Sequence, residues 1–286
     1  MSESKPETMP TAGPADSAEP VSPAMDRKST EAIIAQTDAT PRRETIRERA
    51  ALATVGSAFP KKERMRCMFC GGEQCKRCGA TAHTSMVEPA IKGLHSTWIN
   101  ESIVAMQRPS DPILHAGALE SFAAQGVTAV FNLTEPGEHP YCGFGVLEAS
   151  GFPYSPEVFM AKGIKHFNFH WRDMTTPPLS LMNHIVTVAC RELDAGGRIA
   201  VHCHAGFGRT GIAIACIIVA HYNVESSQAV RFIRIRRPGS IQTAKQESFV
   251  GKFERTHRFL RQTFPTTESR ELRLLTNETN AHDGKR

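Results

Sequence analysis

The sequence predicts an α/β protein whose central sheet is mostly parallel and flanked by helices. Three observations carry that expectation. Short apolar runs alternate with longer helical patterns along the chain, one such run (198–201) leads straight into a Gly-bearing loop, and the loop opens onto an apolar stretch (212–222) too long for a typical strand.

Taken in order, the first 40 residues are polar and rich in Pro, Ser, Glu and Ala, so they bury too little surface to offset their ordering entropy. Residues 1–60 are therefore expected to be a disordered extension, with at most a short charged helix at 42–55. A cysteine-rich segment (61–85) follows, then a domain spanning 86–265 and a flexible tail (266–286). Asp111-Pro112 followed by Ile113, Leu114, Leu119 and Phe122, closed by Gly126, marks an amphipathic helix. Strands are expected at 127–133 and 164–169. Between them lies a long irregular stretch (135–156) carrying Pro136, Gly137, Pro140, Gly143 and Gly145, and long loops of this kind commonly frame a pocket. Residues 180–193 read as a helix stopped by Gly196-Gly197. The strand 198–201, a core helix starting near Gly208, and helices at 225–236 and 243–264 complete the domain.

With 286 residues and 40% hydrophobic content the chain can bury one good core. The N-terminus carries no apolar stretch after a basic start, and the longest apolar run, 212–220, is far short of the roughly 20 residues that span a bilayer. A soluble protein with no stable membrane insertion is expected. Eight cysteines without a secretory signal point to thiol or metal chemistry in a reducing, cytoplasmic setting. A net charge of +5 and a pI near 8.8 are modest, and nucleic acid is not expected as a partner.

The chemistry concentrates in His202-Cys203-His204-Ala205-Gly206-Phe207-Gly208-Arg209-Thr210-Gly211. A strand feeding a helix through a Gly-rich turn points backbone N–H groups and the positive helix end at whatever the loop holds, which suits a phosphate dianion. His204, Ala205, Gly206, Phe207, Gly208 and Arg209 would form that cradle. The same field favours a thiolate, making Cys203 the candidate nucleophile. Arg209 supplies a planar fork for two phosphoryl oxygens.

The string fits H-C-x5-R-[ST]-G and thereby resembles the signature of the cysteine-dependent protein tyrosine and dual-specificity phosphatases. That resemblance implies a protein tyrosine phosphatase-like fold, a phosphorylated protein as substrate partner and hydrolysis through a phosphocysteine. Departure of the Ser, Thr or Tyr oxygen then needs a carboxylic acid on a nearby loop. Asp173, 30 residues before Cys203 in Trp171-Arg172-Asp173, is the candidate; it is similar to the family's W-P-D loop with Arg172 in place of proline. Thr210 can donate its hydroxyl to the Cys203 sulfur as the intermediate breaks down, and His202 is expected to hold the loop by hydrogen bonds. In Gln242-Thr243-Ala244-Lys245-Gln246, which resembles the family's glutamine loop, Gln246 is the first choice over Gln242 for orienting water. No step needs a cation or other cofactor.

The resemblance runs from about residue 65 to 263 and is strongest with one branch of the family, through Pro136-Gly137-Glu138-His139, Cys142-Gly143 and Arg236-Arg237-Pro238-Gly239-Ser240-Ile241. That branch implies a tie to centrosomes and cilia. Two competing substrates or roles stand beside the protein phosphatase: a phosphoinositide phosphatase, against which weakly basic His204 and apolar Phe207 count, and a phosphatase-fold scaffold. The cluster Cys67-x2-Cys70-x4-Cys75-x2-Cys78 has two knuckle-like pairs suited to zinc, yet only four residues join them. Structural zinc, a redox role and an unliganded loop all stand as readings of it. Cys142 is the one cysteine placed to form a disulfide with Cys203, and Cys190 and Cys216 read as core residues.

Overall fold

A computed structural model of the chain describes residues 88–140, 142–147 and 150–263, together with Gly72, Cys75, Arg77 and Cys78. The expected extension (1–60), the charged helix at 42–55, the tail (266–286), Cys67 and Cys70 lie outside the described residues.

Five strands form one sheet: β1 (Ser96–Trp98), β2 (Ile103–Met106), β3 (Val127–Asn132), β4 (Lys165–Asn168) and β5 (Arg198–His202), in the order β1-β2-β5-β3-β4. β1 pairs antiparallel with β2, and every other pairing is parallel. Alternation along the strands explains why both faces need cover. Ile103 and Ala105 of β2, Ala129 and Phe131 of β3, and Ile199 and Val201 of β5 join one core, whereas Val104, Met106, Val130 and Ala200 join the other.

The larger core is closed by α4 (Leu179–Asp194), α5 (Gly208–Tyr222), α6 (Ser226–Arg236) and α7 (Ala244–Thr263). Helix α5 is buried almost all round, which explains why its sequence lacks a polar stripe. The opposite face is covered by α1 (Asp111–Ile113), α2 (Leu119–Ala124) and α3 (Glu157–Met160), with Ile91 and Leu94. No described helix is long and apolar enough to cross a membrane.

Two elements differ from the expectation. The hairpin β1–β2 was not expected, because strands of three and four residues carry too few positions for a period to show. The helix expected over 111–126 is interrupted by a wide turn, Leu114–Ala118, at Gly117, whose φ of 109° lies where only glycine sits comfortably.

Candidate active site

Strand β5 lies at the centre of the sheet, and its carboxyl end delivers Cys203 to the rim where ligands bind in open α/β folds. The chain then turns at Gly206, with φ +75° and so little space that an added Cβ would lie 2.2 Å from Met106 O. Helix α5 starts two residues later. Among the described residues, the amides of His204, Ala205, Gly206, Phe207 and Gly208 donate no hydrogen bond to the protein, so the loop presents a nest of unengaged donors at a helix N-terminus.

The loop is braced from behind. Arg108 N–H donates to His204 O, Leu133 N–H to His202 O and Ile241 N–H to Phe207 O. The Arg237 side chain, 2% exposed, donates from Nε to Gly206 O and lies 4.6 Å over the Phe207 ring. His202 and Tyr154 share a 2.7 Å hydrogen bond, and His202 Nδ1 lies 3.3 Å from Cys203 O. Burial pushes His202 down to about 3, so it is neutral and holds the loop. A pH dependence follows. An unfolded histidine takes up its proton near pH 6.5 while folded His202 refuses it until about pH 3, so folding stability is present above pH 6.5 and is lost as pH falls between those values. The expected slope from this group is about 1.4 kcal/mol per pH unit. Urea unfolding between pH 7 and 5 on wild type and His202→Asn checks it, the variant losing one proton of linkage; equal slopes in both would remove His202 as the cause.

Arg209, 1% exposed, projects from the first turn of α5. Its Nη1 donates to Leu133 O, Trp171 O and Glu138 Oε2 at 3.0, 3.0 and 2.7 Å, and Nη2 bonds Glu138 Oε1 and lies 3.0 Å from Asp173 Oδ1. Burial works against the guanidinium charge, but the Glu138 hydrogen bond and the negative groups at Cys203, Glu138 and Asp173 override it and raise its pKa. Nε is buried without a partner among the described residues, as is Thr210 Oγ1. Two donors in the first turn of α5 are thus uncommitted among the described residues.

Asp173 lines the same pocket as Cys203, His204, Ala205, Gly208, Gln242, Met174 and Arg77. Burial favours its neutral form, yet a hydrogen bond with His139 (3.4 Å) and the Arg209 charge hold it down at about 2. Its loop is fixed by Trp171 Nε1 donating to Thr175 O and by Met174 N–H donating to Asp173 Oδ1. Backbone strain gathers here: Met174, His139 and Ile241 all have positive φ, and a β-branched residue rarely accepts that.

Both glutamines reach the loop: a Cβ at Gly208 would meet Gln242 Oε1 at 2.8 Å and Gln246 Nε2 at 2.9 Å. Gln242 lines the pocket, and Gln246, 1% exposed, gives Oε1 to the Gln242 and Thr243 amides while its Nε2 has no partner among the described residues. Three further participants were not singled out from sequence: Glu138, Arg108, which ties Glu138 O, His139 O and Cys142 O together, and Arg237. Glu138 and Arg237 carried a signal, as parts of the motif-like segments 136–139 and 236–241. Cys142 clusters with Cys75 and Cys78, whereas Cys203 packs in the larger core. Cys216 is fully buried and Cys190 half-buried against the same core.

A mostly parallel sheet whose central strand ends in a Cys-x5-Arg loop, with an aspartate and a glutamine loop facing it, is the architecture of a cysteine-dependent phosphatase domain. Residues 95–250, more than half of the chain, match the family described as Swiss Army Knife protein, DSP-PTPase phosphatase domain, and the chain belongs to that family. It is 43% identical over 187 residues to the protein tyrosine phosphatase domain-containing protein 1 of Mus musculus, covering 65% of this chain and 25% of that one. The Danio rerio protein of the same name is 41% identical over 206 residues, covering 71% and 29%. The chain thus spans less than a third of the length of these relatives. Among solved structures, the active form of Tk-PTP superposes with a TM-score of 0.47 at 20% identity, covering 56% of this chain and 96% of that one.

Proposed function

We propose that the protein hydrolyses phosphate monoesters on phosphorylated proteins through a phosphocysteine intermediate. The observation that carries this reading is a loop of unengaged amides that follows Cys203 directly and lines one pocket with it, with Arg209 Nε left without a partner among the described residues. In the first step Cys203 Sγ attacks phosphorus, the phosphorus–oxygen bond breaks, and Asp173 gives its proton to the leaving oxygen. In the second, Asp173 takes a proton from a water held by Gln242, that water attacks phosphorus, and Thr210 Oγ1 hydrogen-bonds the departing sulfur. The amides and Arg209 balance the phosphoryl charge throughout.

An aspartate held at about 2 cannot serve as acid in the ligand-free state. A bound phosphate dianion changes that balance: it competes for the Arg209 charge and adds negative charge beside Asp173, and both effects favour the protonated carboxyl. Ligand-free Asp173 is therefore stored as an ion pair that substrate releases.

Asp173→Asn should lower the rate on phosphopeptides by roughly two to four decades. The loss should shrink on aryl phosphates with very acidic leaving groups, which need little protonation. Equal losses on both would assign Asp173 another role. Running phosphoinositides in parallel decides the substrate class: faster turnover of lipid than of peptide would replace the phosphoprotein reading.

A further inference from the structure

We propose that Cys75, Cys78 and His204 hold a zinc ion that ties the cysteine segment to the catalytic loop. The donor atoms of these three residues all lie within 4.8 Å of one another, and the residues are buried. His204 Nε2 is 3.1 Å from Cys78 Sγ and 3.8 Å from Cys75 Sγ. Around one tetrahedral zinc, with its usual bond lengths to sulfur and nitrogen, a sulfur and a nitrogen ligand sit about 3.6 Å apart, so the three atoms already surround a common centre. Two soft thiolates with an imidazole favour zinc over magnesium or calcium.

The second line of support is the way Cys75 is held. Its Sγ accepts backbone N–H bonds from Arg77 at 3.4 Å and Cys78 at 3.3 Å, and its own N–H donates to Gly72 O. Amides aimed at one sulfur stabilise a thiolate and fix its direction, the role of outer hydrogen bonds around metal ligands. The segment is also locked against the pocket loop, since Gly143 N–H donates to Gly72 O and a Cβ at Gly143 would meet Cys78 O at 2.9 Å. A second cluster, Glu138, His139 and His204, shares the imidazole, but Glu138 is already paired with Arg209.

This donor set differs from an all-cysteine one. His204 stands 126 residues beyond Cys78 and next to Cys203, so the metal would fix the catalytic loop through a residue that also lines the pocket. The proposal concerns metal binding and stands or falls separately from the phosphatase reading, because none of its measurements is an activity.

The test uses the full chain produced with zinc in the medium. Metal analysis should find about one zinc per chain in wild type and less than about a fifth of that in Cys75→Ser and in His204→Asn. Zinc X-ray absorption on wild type, which needs no variant to fold, should show imidazole in the first shell. Removing zinc with a strong chelator should lower the melting temperature, and adding zinc back should restore it. A wild-type protein without bound zinc, an all-sulfur first shell, or full zinc occupancy in a folded His204→Asn variant would each overturn the proposal.

Discussion

Cys203→Ser is expected to abolish turnover of a generic aryl phosphate while leaving the fold intact. The substitution exchanges one small atom at a site 3% exposed, so packing on β5 and α5 changes little. What changes is the nucleophile. Five unengaged amides and a helix N-terminus favour an anion at this position, and an alcohol is a far weaker acid than a thiol. The cradle itself survives, so the variant should still bind phosphate competitively. Steady-state assay beside a thermal melt and a phosphate titration checks all three statements. Residual turnover above about 1% of wild type in a cleanly folded variant would remove the phosphocysteine from the mechanism.

That prediction could be written from the sequence because its parts are contiguous: nucleophile, cradle and arginine lie within ten residues, and strand, loop and helix follow from local composition. Asp173 was legible for a related reason, since a loop leaving the carboxyl end of β4, a strand that runs in the same direction as β5 with β3 between them, opens onto the same rim. Glu138 was not. Its place on Arg209 depends on where a 22-residue irregular loop folds, and one acidic residue among prolines and glycines carries no period that marks it. The glutamine loop shows a finer limit: Gln242 and Gln246 are both plausible by type, and the turn before α7 brings both side chains against Gly208, a placement that no sequence interval encodes. The cysteine segment is the extreme case. Spacing left structural zinc on Cys67, Cys70, Cys75 and Cys78, a redox role and an unliganded loop all open; His204 approaches Cys75 and Cys78 through tertiary packing, and no sequence interval encodes that.

The hairpin β1–β2 follows the same logic from the side of the fold. Four buried residues, Ile103 to Met106, look like any short apolar run, and their identity as a strand comes from pairing with β5 along its whole length. Met106 then becomes part of the site without any chemistry of its own, because its carbonyl sits where a side chain at Gly206 would have to go.

Arg209→Lys is expected to be nearly as damaging as loss of the nucleophile, with a fall in rate of about two to three decades, the typical cost of removing one donor from a charge-stabilising site. Net charge is conserved, so a simple electrostatic view would predict a mild effect. Geometry predicts otherwise. Arg209 holds Glu138 through two nitrogens, reaches Asp173 and two carbonyls with the same head, and still has Nε uncommitted; a lysine offers one nitrogen on a flexible stem and cannot face the phosphate and Glu138 together. The substitution should also lower the melting temperature, because Glu138, whose side chain is only 9% exposed, loses half of its pairing. Glu138→Gln separates the two consequences. It keeps the guanidinium fork but weakens its anchor, so it should lower stability with a smaller loss of rate than Arg209→Lys. Measuring kcat, KM and thermal midpoint on both variants tests this ordering: a wild-type rate in Arg209→Lys would show that Arg209 does not clamp the phosphoryl group, and a larger rate loss in Glu138→Gln would mean that the glutamate, rather than the fork it holds, meets the substrate.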